Sequence, residues 1–174
     1  MKKVFNTPFA MLLCMAMAVA FTACDPNPEE KIDEDERTLA FLCDGEAIAS
    51  GSTYTSSKLD EAYTAMGMTR FVPGIELVSD FDGKVVVTVE SLNRAMVEMC
   101  AFGGCQMTLP HLDYTATASG DISANTPLPL DIHYTPTATS SEGHRAVALI
   151  TAYCEGYEAD AISFTLVMTN VKVE

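Results

Sequence analysis

The residues of this sequence that can carry chemistry are mainly its six cysteines, ten methionines and three histidines. Cys100 and Cys105 enclose Ala-Phe-Gly-Gly and lie between segments typical of strands. Two glycines can take the positive φ of a tight turn, and cysteines on opposing strands lie close enough to bond. The spacing therefore predicts a hairpin closed by a Cys100–Cys105 disulfide.

A redox enzyme is the alternative interpretation of this cysteine pair. Oxidoreductases of the thioredoxin type use Cys-x-x-Cys at the start of a helix, where the helix dipole lowers a thiol pKa. Here four residues separate the cysteines, and no helical pattern follows them. We therefore favour a structural bridge, whose small loop contributes about 2 kcal/mol of stability.

Cys43 and Cys154 complete a set of four cysteines, which allows three disulfide connectivities. Each lies on a predicted strand, and a bridge between them would close a long loop worth about 4–5 kcal/mol. We expect a Cys43–Cys154 disulfide beside the Cys100–Cys105 disulfide. The alternative for Cys43 and Cys154 is two buried thiols.

Soft-metal binding is a second possible chemistry. Five methionines surround the cysteine hairpin in the sequence: Met66, Met68, Met96, Met99 and Met107. Their thioethers, with His111 nearby, could bind Cu(I). Methionine more commonly fills gaps in a core or coats an adaptable contact surface. We therefore predict no metal site and no cofactor.

The acidic turn and the histidines offer no catalytic constellation. Asp80-Phe81-Asp82-Gly83 begins like a calcium loop, but the rest of that loop is missing and Asp-Gly before a strand favours a turn. His111, His133 and His144 lie in no hydrolase motif. His133 alternates along Leu128 to Tyr134, as a strand-surface or satisfied core residue would. We predict no catalytic residues and expect the protein not to be an enzyme.

Cys24 indicates a different chemistry, because Phe21-Thr22-Ala23 before it has the form of a lipobox. The preceding leader starts with two lysines, and its apolar core is too short to span a bilayer. We predict that residues 1–23 are a lipoprotein signal peptide and that acyl chains on Cys24 attach the protein to a membrane. The alternatives are an uncleaved anchor helix and a plain secretory leader cut near Ala23.

Residues 24–37 are predicted to comprise the lipidated cysteine and an acidic tether. Asp25 to Glu36 contains seven acidic residues, two prolines and one large apolar side chain, Ile32. Such a segment cannot bury enough apolar surface to offset the entropy lost on ordering. It is therefore expected to be a disordered spacer, extended by the repulsion between its negative charges.

Removal of the leader would leave 151 of the 174 residues and change the net charge from −14 to −16, because the leader contains two lysines and no acid. That length suits one domain with a sizeable core. Nucleic-acid binding is excluded, because it requires clustered basic residues. The basic residues of the predicted domain are instead scattered: Lys58, Arg70, Lys84, Arg94, Arg145 and Lys172.

Residues 38–174 are predicted to form one all-β domain, because short Val-, Thr-, Ile-, Tyr- and Phe-rich runs alternate with turn residues. Lys84 to Leu92 alternates apolar and polar residues with a period of two. Lys58 to Met66 has helical spacing after the cap candidates Ser56 and Ser57, which predicts one short peripheral helix. Nine strands are predicted: Thr38 to Cys43, Arg70 to Ser79, Lys84 to Leu92, Met96 to Cys100, Cys105 to Leu109, Tyr114 to Ala118, Leu128 to Tyr134, Ala146 to Tyr153 and Ala161 to Met168.

Three segments carry a family resemblance: Val97 to Gln106, Pro127 to Tyr134 and Arg145 to Ile150. Together they resemble the carboxy-terminal immunoglobulin-like module of Bacteroides-type outer-membrane and secreted proteins, over roughly Lys84 to Asn170. The resemblance implies an immunoglobulin-like antiparallel β-sandwich without catalytic residues. The acids after Cys24 also resemble the surface-export signal of Bacteroides-type lipoproteins, which implies a cell-surface location on the outer membrane.

Together these features predict a surface-anchored, non-catalytic lipoprotein that displays a β-sandwich for binding or envelope assembly. The partner would be a protein or a glycan, contacted by the Ser- and Thr-rich loops Ser50 to Ser57 and Ser119 to Pro127. One alternative is a glycan-binding accessory protein of a polysaccharide uptake system, although the sequence has no tryptophan for sugar stacking. Another is a redox or metal-handling envelope protein.

Overall fold

The computed structural model describes residues 37–136 and 145–170. The predictions for the leader, Cys24, the tether up to Glu36, and His144 lie outside these residues.

The described part of the chain contains strands and one short α-helix, with 3₁₀ turns at Pro110–Leu112 and Glu158–Asp160. Within it, no helix is long and apolar enough to cross a membrane. In chain order the elements are β1 (Leu39–Cys43), β2 (Glu46–Ile48), β3 (Thr53–Ser56), α1 (Glu61–Ala65), β4 (Ile75–Ser79), β5 (Gly83–Ser91), β6 (Val97–Ala101), β7 (Gly104–Met107), β8 (Ala116–Ile122), β9 (Leu128–Tyr134), β10 (Arg145–Cys154) and β11 (Ile162–Thr169).

These strands form two sheets. The six-stranded sheet has the order β2-β1-β4-β9-β6-β7, and the five-stranded sheet has the order β3-β11-β10-β5-β8. Neighbouring strands are antiparallel except for β3, which pairs parallel with β11. The sheets enclose one apolar core, to which both contribute alternate residues.

Alternation along β5 shows how the sequence builds this core. Val85, Val87 and Val89 are fully buried, whereas Lys84 and Glu90 are exposed. β-Branched valines fit a pleated surface, and a shift of one residue would bring the polar set inward. The hydrophobic pattern therefore fixes which face of β5 packs on the opposite sheet.

Each of the nine predicted strands overlaps an observed strand, but two observed strands were not predicted. β2 has only three residues, and β3 pairs with β11 over a long sequence separation. The strand predicted from Arg70 to Ser79 is observed only as β4, which begins at Ile75. It is shorter because Pro73 has no N–H to donate to a neighbouring strand.

The predicted peripheral helix is confirmed as α1, which buries none of its residues. Its cap differs from the expectation. The Asp60 side chain, and not Ser56 or Ser57, accepts hydrogen bonds from the N–H groups of Ala62 and Tyr63. An aspartate at this position satisfies two N–H groups that the first helical turn leaves free.

The sandwich has two ends, which we call the Arg37 end and the far end. The chain enters at Arg37, whose guanidinium carbon lies 4.5 Å from the Tyr157 ring centroid and 5.8 Å from the Phe81 ring centroid. The strand registers place the turns at 80–82, 123–127 and 155–161 at this end. The connections 57–74, 92–96 and 108–115 lie at the far end.

Candidate functional site

The cysteine hairpin is present as predicted. Cys100 on β6 and Cys105 on β7 are directly opposite each other and form a disulfide with an S–S distance of 2.02 Å. The turn between the strands has positive φ at both central residues, Phe102 (φ 51°) and Gly103 (φ 79°), as in the primed hairpin turns. Within the described residues, neither cysteine lies at the start of an α-helix, whose dipole activates thioredoxin-type cysteines; both are on strands.

This hairpin also joins the two sheets along one side of the sandwich. The Phe102 ring lies over Gly120 of β8, so closely that a Cβ added at Gly120 would be 2.2 Å from the ring. Gln106 Oε1 accepts hydrogen bonds from the Thr117 N–H (3.0 Å) and from the Tyr114 hydroxyl (2.9 Å). The edge strands β7 and β8 are therefore linked by side chains.

The expected Cys43–Cys154 disulfide is wrong, because both residues are buried free thiols. Cys154 ends β10 at the Arg37 end, where Tyr157 donates its N–H to the Cys154 carbonyl. Cys43 lies at the opposite end of β1, four residues beyond Leu39 and about 13 Å further along the strand. That separation exceeds the reach of a disulfide, which requires Cα atoms within about 7 Å.

Neither thiol is activated for nucleophilic chemistry. Burial, and after it the charge of Asp44, raises the pKa of Cys43 to about 12. Burial also raises the pKa of Cys154, and the nearby Arg37 charge only partly opposes it. A reactive cysteine needs a thiolate near neutral pH, so these two side chains serve the core.

Asp44 forms the most connected polar cluster of the far end. Its carboxylate accepts hydrogen bonds from Lys58 Nζ (2.7 Å), the Tyr54 hydroxyl (3.0 Å) and the Gly74 N–H (3.2 Å). Burial opposes ionisation of Asp44, but these hydrogen bonds and the Lys58 charge outweigh it and lower its pKa. The cluster fastens β3 and the segment before β4 to the β1–β2 turn.

Burial and the bond to Asp44 raise the pKa of Tyr54 to about 12. All three donors to Asp44 belong to this chain, and they occupy much of the hydrogen-bonding capacity of the two carboxylate oxygens. The cluster therefore stabilises the fold and offers little free capacity to a ligand.

His133 is the centre of a second polar cluster, on the outer face of the six-stranded sheet. Its Nε2 lies 3.0 Å from Glu98 Oε2, and its Nδ1 lies 3.1 Å from Asp131 Oδ1. Arg70 Nη2 lies 3.9 Å from the other Asp131 oxygen. The His133 side chain is only 6% exposed.

If both ring nitrogens of His133 carry a proton, both contacts are hydrogen bonds; if only one nitrogen does, only that contact is a hydrogen bond. In each case both nitrogens face a carboxylate, so neither is open to a substrate or a metal. His133 is thus a satisfied buried residue, as the alternation indicated. The sequence offered no signal for its partner Glu98, which comes from a strand 35 residues away.

The residues suggested as soft-metal ligands do not converge. Met99 is fully buried in the core, whereas Met96 and Met107 are exposed on the outer face. His111 lies in the 3₁₀ turn after β7. In the described ranges, the group whose donor atoms come within 4.8 Å of one another is Glu98, Cys100 and Cys105. Its two sulfurs are bonded to each other and are not thiolates.

The acidic segment at residues 80–83 forms a turn, as expected. Asp80 Oδ1 accepts the Thr38 N–H (2.8 Å), and Asp82 Oδ1 accepts the Ala124 N–H (2.8 Å). Each carboxylate accepts from backbone 42 residues away in the sequence, so the two aspartates tie this connection to Thr38 and to Ala124 at the Arg37 end.

The two predicted contact loops are partly strands. Ser50 to Ser57 contains β3, and Ser119 to Pro127 contains the second half of β8. Their irregular parts, residues 50–52 and 123–127, lie at the Arg37 end. That these two segments contact a partner stays a prediction.

The exposed large apolar side chains of the described residues all lie at the far end. Four of them lie on the connections 92–96 and 108–115, and the fifth, Met107, is the last residue of β7; the four are Leu92, Met96, Leu112 and Tyr114.

The segment that joins β3 to β4 at the same end carries the other three: Leu59, Met66 and Met68. Several of these methionines are among those that the sequence pattern leaves as possible metal ligands or core residues. Their shared position follows only from the strand registers, which the sequence does not reveal.

Comparison with known proteins identifies the fold. No protein-family profile matches the sequence, and a search of curated proteins returns no match. The N-terminal domain of PorA superposes with a TM-score of 0.51 at 11% identity, covering 76% of this chain and 96% of that domain. A PapD-like domain of human CEP192 aligns over 91% of this chain and 99% of its own at 14% identity, with a TM-score of 0.32.

The PorA similarity is too distant in sequence to indicate more than architecture. Together with the two packed sheets, it confirms the predicted fold class: the described chain is an immunoglobulin-like β-sandwich.

Proposed function

We propose that this protein is a lipid-anchored display protein, whose sandwich acts by binding or by joining an envelope assembly and not by catalysis. The proposal rests on the position in the sequence at which the sandwich begins. Arg37 is already stacked on two rings, and β1 begins at Leu39. Only residues 25–36 therefore separate the sandwich from Cys24, the predicted site of acylation.

The intervening acidic segment fits the role of a spacer. Twelve residues span at most about 40 Å when fully extended. Acyl chains on Cys24 would hold the protein to the outer membrane, and the spacer would give the sandwich reach. Acids placed directly after the lipidated cysteine fit export to the cell surface.

The polar clusters of the sandwich support a non-catalytic role. The carboxylate of Asp44 and the imidazole of His133 are occupied by partners within the chain. The thiols of Cys43 and Cys154 have raised pKa values. A general base or nucleophile would instead be accessible, with a pKa near the working pH.

Protease treatment of intact cells tests this proposal. The full chain should be degraded from the outside, whereas Cys24→Ala should abolish membrane retention. A Glu29→Ala/Glu30→Ala variant should keep its lipid but lose exposure to protease. Membrane retention of Cys24→Ala would refute the anchor, and unchanged exposure of the double variant would refute the export signal.

A second candidate function, glycan binding, is favoured by one feature of the five-stranded sheet. The registers align four hydroxyl residues in one row across its outer face: Ser163, Thr151, Thr88 and Thr117. Neighbouring strands are about 4.8 Å apart, so the row presents hydroxyls at regular intervals. Threonine is also common on exposed strands without any ligand.

A glycan array with the soluble domain separates the two candidates. Glycan binding predicts a hit that is lost when Thr88 and Thr151 are changed to valine, which keeps the shape of each side chain. The absence of a hit would leave the display function with a protein partner.

A further inference from the structure

We propose that the reduced form of the cysteine hairpin is a Zn²⁺ site, in which the thiolates of Cys100 and Cys105 and one carboxylate oxygen of Glu98 bind the ion. His133 is a positioning residue for Glu98. The site exists only after the disulfide has been opened, because two sulfurs that are bonded to each other are not thiolates. This inference goes beyond the proposed display function and does not depend on it.

The strand registers place the three ligands on one face of the six-stranded sheet. Cys100 on β6 is directly opposite Cys105 on β7, and their Cα atoms are 4.0 Å apart. Glu98 lies two residues before Cys100 on β6, so its side chain is on the same face. The donor atoms of the three side chains lie within 4.8 Å of one another, and Glu98 Oε1 is 3.9 Å from Cys100 Sγ. The ligand atoms of a tetrahedral zinc ion are about 3.6–3.8 Å apart, so side-chain rotation in the opened hairpin completes the set.

The Glu98 carboxylate is held in the orientation that a metal ligand needs. His133 Nε2 lies 3.0 Å from Glu98 Oε2, whereas the other oxygen, Oε1, faces Cys100. His133 is in turn placed by Asp131, whose Oδ1 lies 3.1 Å from Nδ1, and its side chain is almost completely buried. Carboxylates that bind metal ions are themselves usually hydrogen-bonded in this way. One oxygen of Glu98 is therefore held by the protein, and the other is left for the ion.

The site is accessible to an ion and to a reductant. Cys105 is exposed, Cys100 is half-buried, and the Glu98 side chain is 34% exposed. Three protein ligands on an accessible face leave the fourth position of a tetrahedral zinc ion to water.

Other contacts hold the hairpin besides the disulfide. The Phe102 ring packs over Gly120, and Gln106 Oε1 accepts the Thr117 N–H. β6 also pairs with β9 from Val97 to Cys100. We therefore expect the two cysteines to stay opposite each other when the bond between them is broken.

The site requires a dithiol reductant to open it. The two thiols of the reductant become its own disulfide, and their two electrons and two protons convert the Cys100–Cys105 bond into two thiols. Zn²⁺ then replaces these two protons, which are released to solvent. The disulfide and the bound ion are therefore alternatives, and the oxidation state of the hairpin decides which of them is present.

The donor set selects zinc among the common cations. Two thiolates are too soft for Ca²⁺ or Mg²⁺, which take oxygen ligands. Cu(I) prefers sulfur ligands alone, and here the third ligand is a carboxylate. Mixed sulfur and oxygen ligands in a tetrahedral arrangement suit Zn²⁺.

Metal titration of the full chain, purified from membranes in detergent, tests the proposal. One sample keeps its disulfide, and the other is reduced with a dithiol that is then removed without oxygen. We expect the reduced chain to bind one Zn²⁺ and the oxidised chain to bind none. Co²⁺ in place of Zn²⁺ should give a sulfur-to-metal charge-transfer band in the reduced sample alone, which identifies thiolate ligands.

Glu98→Gln and Glu90→Gln form a matched pair of substitutions. Glutamine at position 98 still accepts a hydrogen bond from His133 but loses the charged oxygen that binds the ion. It should weaken Zn²⁺ binding at least about tenfold, because even the partners of a ligand are worth about 10- to 100-fold in affinity. Glu90 is an exposed glutamate on β5 of the other sheet, so the same change there should leave the affinity unchanged.

Four results would overturn the proposal. They are a reduced chain that binds no Zn²⁺, equal binding by the reduced and oxidised chains, equal affinities of the two glutamine variants, and undiminished binding by a reduced Cys100→Ser/Cys105→Ser chain. Circular dichroism of the reduced sample adds a fifth, because loss of the sandwich on reduction would remove the strand registers that the site requires.

Discussion

Replacement of Cys43 by alanine is expected to remove a pH-dependent part of the folding stability. Burial on β1, followed by the charge of Asp44, raises the pKa of this thiol from 9.0 to about 12. The unfolded chain therefore loses this proton near pH 9 and the folded chain only near pH 12. The thiol contributes stability that is fully present below pH 9 and is lost as the pH rises toward 12.

The magnitude follows from the two pKa values. One pKa unit corresponds to about 1.4 kcal/mol, so the three units between 9.0 and about 12 correspond to about 4 kcal/mol in total. At about pH 10 the unfolded thiol is roughly nine-tenths ionised while the folded thiol is still protonated. The loss at that pH is therefore about 1.4 kcal/mol.

Urea unfolding of the wild type and Cys43→Ala at about pH 8 and about pH 10 measures this loss. Alanine leaves a small cavity, which lowers stability equally at both pH values. The stability difference between the two proteins should therefore shrink by about 1.4 kcal/mol between the two pH values. Tyr54, whose pKa is raised to about 12 chiefly by burial and by Asp44, is present in both proteins, so its titration cancels apart from the smaller contribution of Cys43 to that pKa.

Non-reducing mass analysis after each unfolding series should show that the Cys100–Cys105 disulfide is intact, because thiolates can exchange with it at high pH. A stability difference that stays constant between the two pH values would refute the argument that Cys43 is buried as a neutral thiol.

Four further substitutions, one of them a matched control, test the packing and the polar clusters by urea unfolding. Asp44→Asn, which tolerates the left-handed conformation at φ 52°, should cost about 1–3 kcal/mol at neutral pH. Because the pKa of Asp44 is lowered in the folded state, the stability that its carboxylate contributes should disappear as the pH falls below the ordinary value of 3.8. A stability difference between wild type and Asp44→Asn that is the same at low and neutral pH would contradict this. Gly120→Ala should cost about 1–3 kcal/mol, because its methyl would overlap the Phe102 ring, whereas Gly104→Ala, with nothing within 4 Å, should change stability by less than about 0.5 kcal/mol. Equal effects at the two glycines would contradict the observed contact. His133→Ala should cost about 1–3 kcal/mol by removing a buried ring whose two nitrogens face the Glu98 and Asp131 carboxylates, and a neutral result would show that the cluster contributes nothing.

Local patterns predicted much of the fold. The alternation of β5 and the Cys-x₄-Cys hairpin each follow from a few adjacent residues, and both are present where expected. Helical spacing likewise located α1, although the cap was Asp60. Features of this kind depend on periodicity and turn chemistry, which a single sequence displays.

Features that depend on which strands become neighbours were not predictable. β3 pairs in parallel with the last strand, and no local signal marks such a partner. The same reason explains the error at Cys43 and Cys154, because the direction of β1 decides whether the two thiols meet. The grouping of Met96 with Leu112 at one end of the sandwich also follows from topology and not from sequence spacing.

The central claim, that a lipid on Cys24 anchors a displayed sandwich, is tested most directly by the mass of the mature amino-terminal peptide. The protein should be purified from membranes and digested, and the first peptide should be sequenced by mass spectrometry. We predict a chain that begins at Cys24 and carries the added mass of acyl chains on that residue. An unmodified Cys24, or a peptide that still contains residues of the leader, would contradict the proposed anchor and the display function built on it.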